Sequence, residues 1–328
     1  MLASKLLEIK LKSFIENTID LNKNDVEKAY KSRDNLINNI TEILNENLFF
    51  NVYEEWNLNY GSFENGTKIL ELDDIDIMIC IKANYRTYYD LFPNNIIKII
   101  ANDYDIYFKN ECLDNETIFL NSTKLLNLLK NELAKIDDYE KADIHKNKEA
   151  VTLKLKSYKW NFDIVPCFFT MPEYDGREYY LIPDGEGNWK KSDPRIDREN
   201  IDKLNETQLN IIKLIKYWNK KKKITTMKSY VLECMLLEYF NEIKNDISIY
   251  YMFKKALKYI SENIFNHIYD PKNIQGNLNK LNKEERISIS EKAKKCYIIC
   301  NEAINLIERN NYDEAVNKFS EVLNDFNG

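Results

Sequence analysis

Residues 61–76 read GSFENGTKILELDDID, and they decide how the rest of the chain is read. Their end runs into DDIDIMICI (73–81), which has the apolar continuity of a buried strand. Strand side chains alternate between faces, so Asp74 and Asp76 share one face while Ile75, Ile77 and Ile79 share the other. Two carboxylates side by side on an otherwise apolar strand are costly to desolvate, and they repel each other. A divalent cation relieves both costs, and hard oxygen ligands suit Mg²⁺ or Mn²⁺. The Gly61-Ser62 turn upstream offers backbone N–H groups and a hydroxyl to phosphate. Metal and phosphate together point to nucleotide chemistry.

Before this stretch, FNVYEEWNLNY (50–60) partly alternates and reads as a strand leading into Gly61. Residues 4–48 carry helical patterning in two stretches, broken around Asn17 to Asn24. After it, residues 85–140 read as mostly helical, with Leu125, Leu126, Leu128 and Leu129 in one dense segment. Ala150 to Val165 reads as a hairpin. Val151, Leu153 and Leu155 alternate with polar residues, and so do Trp160, Phe162 and Ile164 after a short turn. Pro166 is expected to end that second strand. Asp163 lies on it between Phe162 and Ile164, so it points the opposite way from both. If that strand pairs beside DDIDIMICI, Asp163 joins Asp74 and Asp76 as a third carboxylate. Three carboxylates can hold two Mg²⁺ ions about 3.5–4 Å apart, the arrangement for in-line phosphoryl displacement. Taken alone, Asp163 also fits a solvent-facing carboxylate at a strand end.

Four of the six prolines and three of the seven glycines fall between residues 166 and 194, which marks a loop-rich crossing and a domain boundary. Beyond residue 200 the chain reads as helical, with LNIIKLIKYWN and YVLECMLLEYF dense in apolar residues at helical spacing. The expected organisation is a catalytic α/β domain over residues 1–200, N-terminal helices included, and an all-helical domain over 201–328.

The chain has 328 residues, 44% of them hydrophobic and 30% charged, a globular rather than a disordered profile. No apolar run approaches the roughly 18 residues that span a bilayer. The N-terminal MLASKLLEIKLKSFIENTIDL mixes charge into its apolar residues and has no signal-peptide core, so a cytoplasmic protein is expected. The six cysteines form no CxxC pair, and neither His145 nor His267 lies near Cys296 and Cys300, so buried reduced thiols are expected rather than a zinc site. A net charge of −6 argues against a general nucleic-acid binder. The run Lys220 to Lys223 fits a solvated helix end, or a local contact with polyanion. Trp160, Trp189 and Trp218 are read as core residues, and Tyr174, Arg177, Tyr179 and Tyr180 as a loop bordering a pocket without individual roles.

These motifs together resemble the nucleotidyltransferase superfamily with a polymerase-beta-like core. More narrowly, the chain resembles the bacterial cGAS/DncV-like nucleotidyltransferases (CD-NTases). The residues that carry the resemblance are GS (61–62), DID (74–76), FDIVP (162–166), YLIPDGEGNW (180–189), SDP (192–194), LIKYWN (214–219) and SYVLE (229–233). The last ninety or so residues carry no recognised motif.

The resemblance implies an α+β fold, a mixed sheet with N-terminal helices followed by a C-terminal helical bundle. It implies that Gly61 and Ser62 hold the donor phosphates and that Asp74, Asp76 and Asp163 ligate two Mg²⁺. Lys216 would meet the triphosphate, Ser229 would bond a phosphate oxygen and Tyr230 would stack on a nucleobase. On physical grounds a lysine interrupting an apolar helix face either snorkels or pairs with an anion, Ser229 suits an N-cap, and Tyr230 is either a base platform or a core aromatic.

The implied activity is Mg²⁺-dependent condensation of nucleoside triphosphates, ATP among them, into a cyclic di- or trinucleotide messenger with release of pyrophosphate. The setting is CBASS anti-phage signalling, with a product-sensing effector as partner. Conjugation of Gly328, or a regulatory partner, belongs to the same picture. The His/Cys-rich zinc insertion of animal cGAS has no counterpart here, so activation by long DNA or RNA is not implied. Two other readings stand beside this one. One is a nucleotidyltransferase that modifies a protein or tRNA acceptor, and the other is an inactive nucleotide-binding module.

Overall fold

The strand DDIDIMICI forms almost as read, from Asp74 to Ile81, within a mixed sheet. The computed structural model describes residues 2–46, 51–84, 86–91, 95–101, 111–114, 117–222, 227–243 and 248–326. In chain order its elements are α1 (Leu2–Phe14), α2 (Lys23–Glu46), β1 (Leu58–Tyr60), α3 (Gly61–Glu64), β2 (Asp74–Ile81), β3 (Tyr88–Leu91) and β4 (Ile96–Ile99). Then come α4 (Ser122–Leu133), β5 (Asp143–Asn147), β6 (Ala150–Lys154), β7 (Asn161–Phe169), β8 (Tyr180–Pro183) and β9 (Trp189–Ser192). The helices α5 (Pro194–Asp202), α6 (Glu206–Lys221), α7 (Ser229–Glu242), α8 (Ile249–Asn263), α9 (Lys283–Glu308) and α10 (Tyr312–Val322) complete it.

Contacts gather the chain into two units. Asn22–Gly66 with Glu71–Arg198 form a sheet unit, and Met1–Leu21 with Thr67–Leu70 and Glu199–Gly328 form a helical unit. The junction at Glu199 lies next to the boundary read at residue 200. Residues 1–21, read as part of the catalytic domain, group instead with the C-terminal helices. The cause is the apolar side of α1: Ala3, Leu7, Leu11 and Phe14, at helical spacing, bury in the core shared with α6 to α10.

In the sheet unit, nine strands among the described residues run in the order β1-β2-β7-β8-β9-β4-β3, with β6 pairing both β5 and β7. The pair β2–β7 is parallel, and Asp76 stands opposite Asp163. The hairpin read over 150–165 is present, β6 against the first half of β7. Pro166 does not end β7, which runs on to Phe169. Its pairing with β6 stops at Ile164, and pairing with β8 starts at Phe168. Pro166 falls in that gap, where a missing N–H costs no ladder bond.

Three other expectations differ. Among the described residues of 85–140 there is one full helix, α4, but also β3 and β4, because Tyr88, Tyr89, Ile96, Ile97 and Ile99 fit a pleated surface better than a helix. The loop-rich crossing contains the hairpin β8–β9. Of 50–60, only Leu58–Tyr60 is a strand, Glu54–Trp56 is a short 3₁₀ turn, and Phe50 lies outside the described residues.

In the helical unit, α6 and α9 start with side-chain caps that the sequence supplies. Asn205 with Gln208 closes a capping box on α6, and Asn282 with Glu285 closes another on α9. On α9, Ile289, Ala293, Cys296, Cys300, Ala303 and Ile307 trace one buried stripe. Cys296 and Cys300 are therefore small core residues, in keeping with six free, buried cysteines. Trp160, Trp189 and Trp218 are buried as expected.

Phe162 is fully buried on β7, one residue before Asp163. Phe162→Ala is expected to cost about 3–5 kcal/mol through lost burial and the cavity left behind, read as a lower midpoint of urea denaturation.

Candidate active site

The site is built at one end of β2 and β7. Asp74 and Asp76 project from the same side of β2, and Asp163 stands directly across the parallel ladder. One carboxylate oxygen from each lies within 4.8 Å of the others, and all three side chains are partly exposed. Beyond the carboxylates the same side of the strands turns apolar, with Met78 and Cys80 on β2 and Val165 and Cys167 on β7.

The Gly-Ser turn sits against this cluster. Tyr60, the last residue of β1, is the register partner of Asp76, and the chain turns at once into α3. Gly61 has φ +79°, a conformation that side chains other than glycine rarely adopt. A Cβ there would lie 2.0 Å from Asp76 Oδ2. Glycine is thus required twice, by backbone conformation and by the closeness of the carboxylate. Ser62 occupies the first turn of α3, where backbone N–H groups have no partner inside the helix.

The turn is fixed from outside. Arg33 on α2 bonds Glu64 at 2.7 Å, Tyr30 packs on Phe63 with ring centroids 4.9 Å apart, and Arg198 donates to the Glu64 carbonyl at 2.6 Å. Burial, followed by the charges of Asp76 and Asp163, pushes the Tyr60 hydroxyl well above the ordinary phenol range, so Tyr60 stays neutral beside the carboxylates.

One contributor was not anticipated. Thr152 on β6 stands opposite Asp163, and its hydroxyl donates to Asp163 Oδ1 at 2.5 Å. The signal was present in the hairpin: Thr152 breaks the apolar run of β6 on the side that faces Asp163. This bond fixes one carboxylate oxygen and leaves the rotamer little freedom.

The donor set fits a hard divalent cation. It is all carboxylate, its oxygens are close together, and Gly61 keeps the space beside Asp76 free of a side chain.

Lys216, Ser229 and Tyr230 belong to the helical unit. The buried Lys216 ammonium donates to Thr67 O at 2.9 Å and Thr67 Oγ1 at 3.1 Å, and it forms an ion pair with Glu233. Thr67 in turn donates to Glu233 at 3.1 Å. Lys216 is therefore an anion-paired lysine and not a snorkelling one. Ser229 is exposed as the first residue of α7, while Lys228 takes the N-cap position without a side-chain bond. The expected N-cap is thus displaced by one residue, because Ser229 already has helical backbone geometry. Tyr230 is partly buried, and its hydroxyl donates to Asp270 at 3.1 Å. Gly328 lies outside the described residues.

A glycine turn packed on a pair of strand carboxylates, with a third across a parallel ladder, is the arrangement expected of a nucleotidyltransferase site of the polymerase-beta type. No protein-family model matches the sequence. A probable cyclic nucleotide synthase of Bacillus cereus strain VD146 is 37% identical, and the match covers 95% of this chain and 95% of that protein. Solved structures share the fold, CdnC among them. CdnC of E. coli MS115-1 with ATP superposes with a TM-score of 0.71 at 16% identity, covering 97% of this chain and 98% of CdnC. The CdnC complex with HORMA-deltaN gives 0.68 at 15%, covering 97% of each chain. The chain belongs to the cyclic nucleotide synthases of the bacterial cGAS/DncV-like nucleotidyltransferase family.

Two outcomes follow for pyrophosphate release. Gly61→Ala is expected to slow it about a hundredfold by displacing Asp76, and to lower the melting temperature as well, because Ala is strained at φ +79°. Thr152→Val, which keeps the shape and loses the hydroxyl, is expected to lower kcat about 10–100-fold.

Proposed function

We propose that the chain joins nucleoside triphosphates, ATP among them, by attack of a ribose hydroxyl of one on the α-phosphate of another. The product is a cyclic di- or trinucleotide, released with pyrophosphate and read by an effector protein in CBASS anti-phage signalling. The observation that supports this reading most is the triad Asp74, Asp76 and Asp163, held in register across β2 and β7 with Gly61 against Asp76. A scaffold that only bound nucleotide would have no use for three repelling carboxylates fixed this closely.

In this reading the three carboxylates hold two divalent cations, Mg²⁺ or Mn²⁺. When bound, the cations lower the pKa of the attacking hydroxyl and neutralise charge on the phosphates. Gly61 and Ser62 present backbone N–H groups and a hydroxyl to the donor phosphates. Thr152 holds Asp163 in orientation. Lys216 exchanges part of its pairing with Glu233 for a phosphate oxygen, Ser229 bonds phosphate at the start of α7, and Tyr230 stacks on the donor base. The domain division is inferred along the same lines: the carboxylates belong to the sheet unit, and Lys216, Ser229 and Tyr230 to the helical unit. CdnC is solved with a HORMA protein, and a regulatory protein partner is extended to this chain by that likeness. Among the described residues no helix is long and apolar enough to cross a membrane, in keeping with a protein working on dissolved nucleotides.

The test is incubation of the full chain with all four nucleoside triphosphates and Mg²⁺. Pyrophosphate is measured, and the product is identified by nuclease P1 digestion and mass spectrometry. A nuclease-sensitive cyclic product is expected from wild type, and neither Asp76→Asn nor chelation of the metal should leave any. Mg²⁺ should also raise the melting temperature of wild type and not of Asp76→Asn, because a ligand bound only by the folded state stabilises it. Label from α-³²P-ATP on protein or tRNA would favour the alternative acceptor. Absence of turnover with every nucleotide pair, phage extract included, would sink the synthase reading.

A further inference from the structure

Tyr230 is gripped by a loop far from it in sequence. Between α8 and α9 the chain closes a loop at 268–278, where Leu278 N donates to Ile268 O at 2.7 Å and Asp270 N to Gly276 O at 3.0 Å. Asp270 and Lys272 of this loop are both almost fully buried. The Asp270 carboxylate accepts the backbone N–H groups of Lys272, Ile274 and Gln275 at 3.2, 3.2 and 2.9 Å, and the Tyr230 hydroxyl at 3.1 Å. Burial alone would raise its pKa. The Lys272 charge and those N–H groups outweigh burial and hold it below the ordinary carboxylate range.

The Lys272 ammonium lies 3.4 Å from Asp270, donates to the Tyr230 hydroxyl oxygen, and sits 4.2 Å from the centre of the ring. One phenol therefore donates to a buried anion and accepts from a buried cation. Both bonds are at its hydroxyl end, and the ammonium also lies over one face of the ring, so a base would stack on the opposite face.

We propose that Asp270 and Lys272 are positioning residues, a buried ion pair that holds the Tyr230 ring by its hydroxyl in the orientation that receives a nucleobase. The inference rests on the base-stacking role given to Tyr230 above. Neither residue touches nucleotide in this scheme. Their effect is entropic: a ring already fixed loses less freedom when a base lands on it. An ion pair buried here is otherwise costly to keep, and a core tyrosine needs only one partner for its hydroxyl.

The experiment measures the Kd of ATP in Mg²⁺ by calorimetry on the full chain. This readout does not depend on turnover, so failure of the synthase reading stays separate from failure of the clamp. The variants are Tyr230→Phe, Lys272→Met, Lys272→Arg, the double Tyr230→Phe/Lys272→Met, and Tyr230→Ala. Tyr230→Ala, which removes the platform, is expected to weaken binding about 5–150-fold. Tyr230→Phe and Lys272→Met should each weaken it several-fold, and the double variant no further than the worse single one, because each breaks the same bond. Lys272→Arg should recover part of the loss. Tyr230→Phe changes one oxygen and keeps the test open if Lys272→Met folds poorly. Independent, multiplying effects of the two singles, or a Lys272→Met protein that melts earlier but binds ATP as wild type does, would overturn the clamp. Unchanged binding in Tyr230→Ala would overturn the clamp and the stacking role together.

Discussion

Three like charges within 4.8 Å of one another are the constraint on which the sheet unit depends. Carboxylates placed so close repel, so the arrangement is costly in itself. It persists because strands are stiff where they are buried. β2 from Ile77 to Ile81 and β7 from Ile164 to Phe168 are buried and packed side by side, so their register is not free to slip. A slip of one residue would send Asp76 to the opposite face. The apolar length of the two strands is thus what holds the polar end together, and Gly61, just past β1, and Thr152 on β6 lock that end.

Legibility in the sequence followed the range of the interaction. Short-range patterns read well: the alternation of β6 and β7, the apolar β2, the helices of the C-terminal half, and the facing of Asp74, Asp76 and Asp163. What failed depended on neighbours. Ile96, Ile97 and Ile99 form a strand because β3 and β9 lie beside them, and 85–140 without those partners reads as helix. Pro166 looks like a strand end until the gap between its two neighbours on that edge is known. Thr152 could have been read from the hairpin register, since β6 and β7 were paired correctly and only the polar side was left unexamined.

The residues named by resemblance show the same limit from another side. Lys216, Ser229 and Tyr230 are visible as motifs, yet their surroundings are set by partners distant in the chain. Thr67 lies 149 residues before Lys216 and Asp270 lies 40 residues after Tyr230. A motif gives the residue type. The partner decides whether that residue is held still, how its charge is balanced, and which of its atoms remain for a ligand.

The helical unit has a cost in time. Leu7, Leu11, Phe14, Ile15 and Ile19 bury against helices that begin only after Glu199. At about 5–20 residues per second, the ribosome needs roughly ten to thirty-five seconds to make the stretch between them. Through that interval α1 has an apolar side and no core to receive it, while the residues of the sheet unit are still being made. The nascent α1 is thus exposed to aggregation and to chaperones until its partners in the helical unit follow.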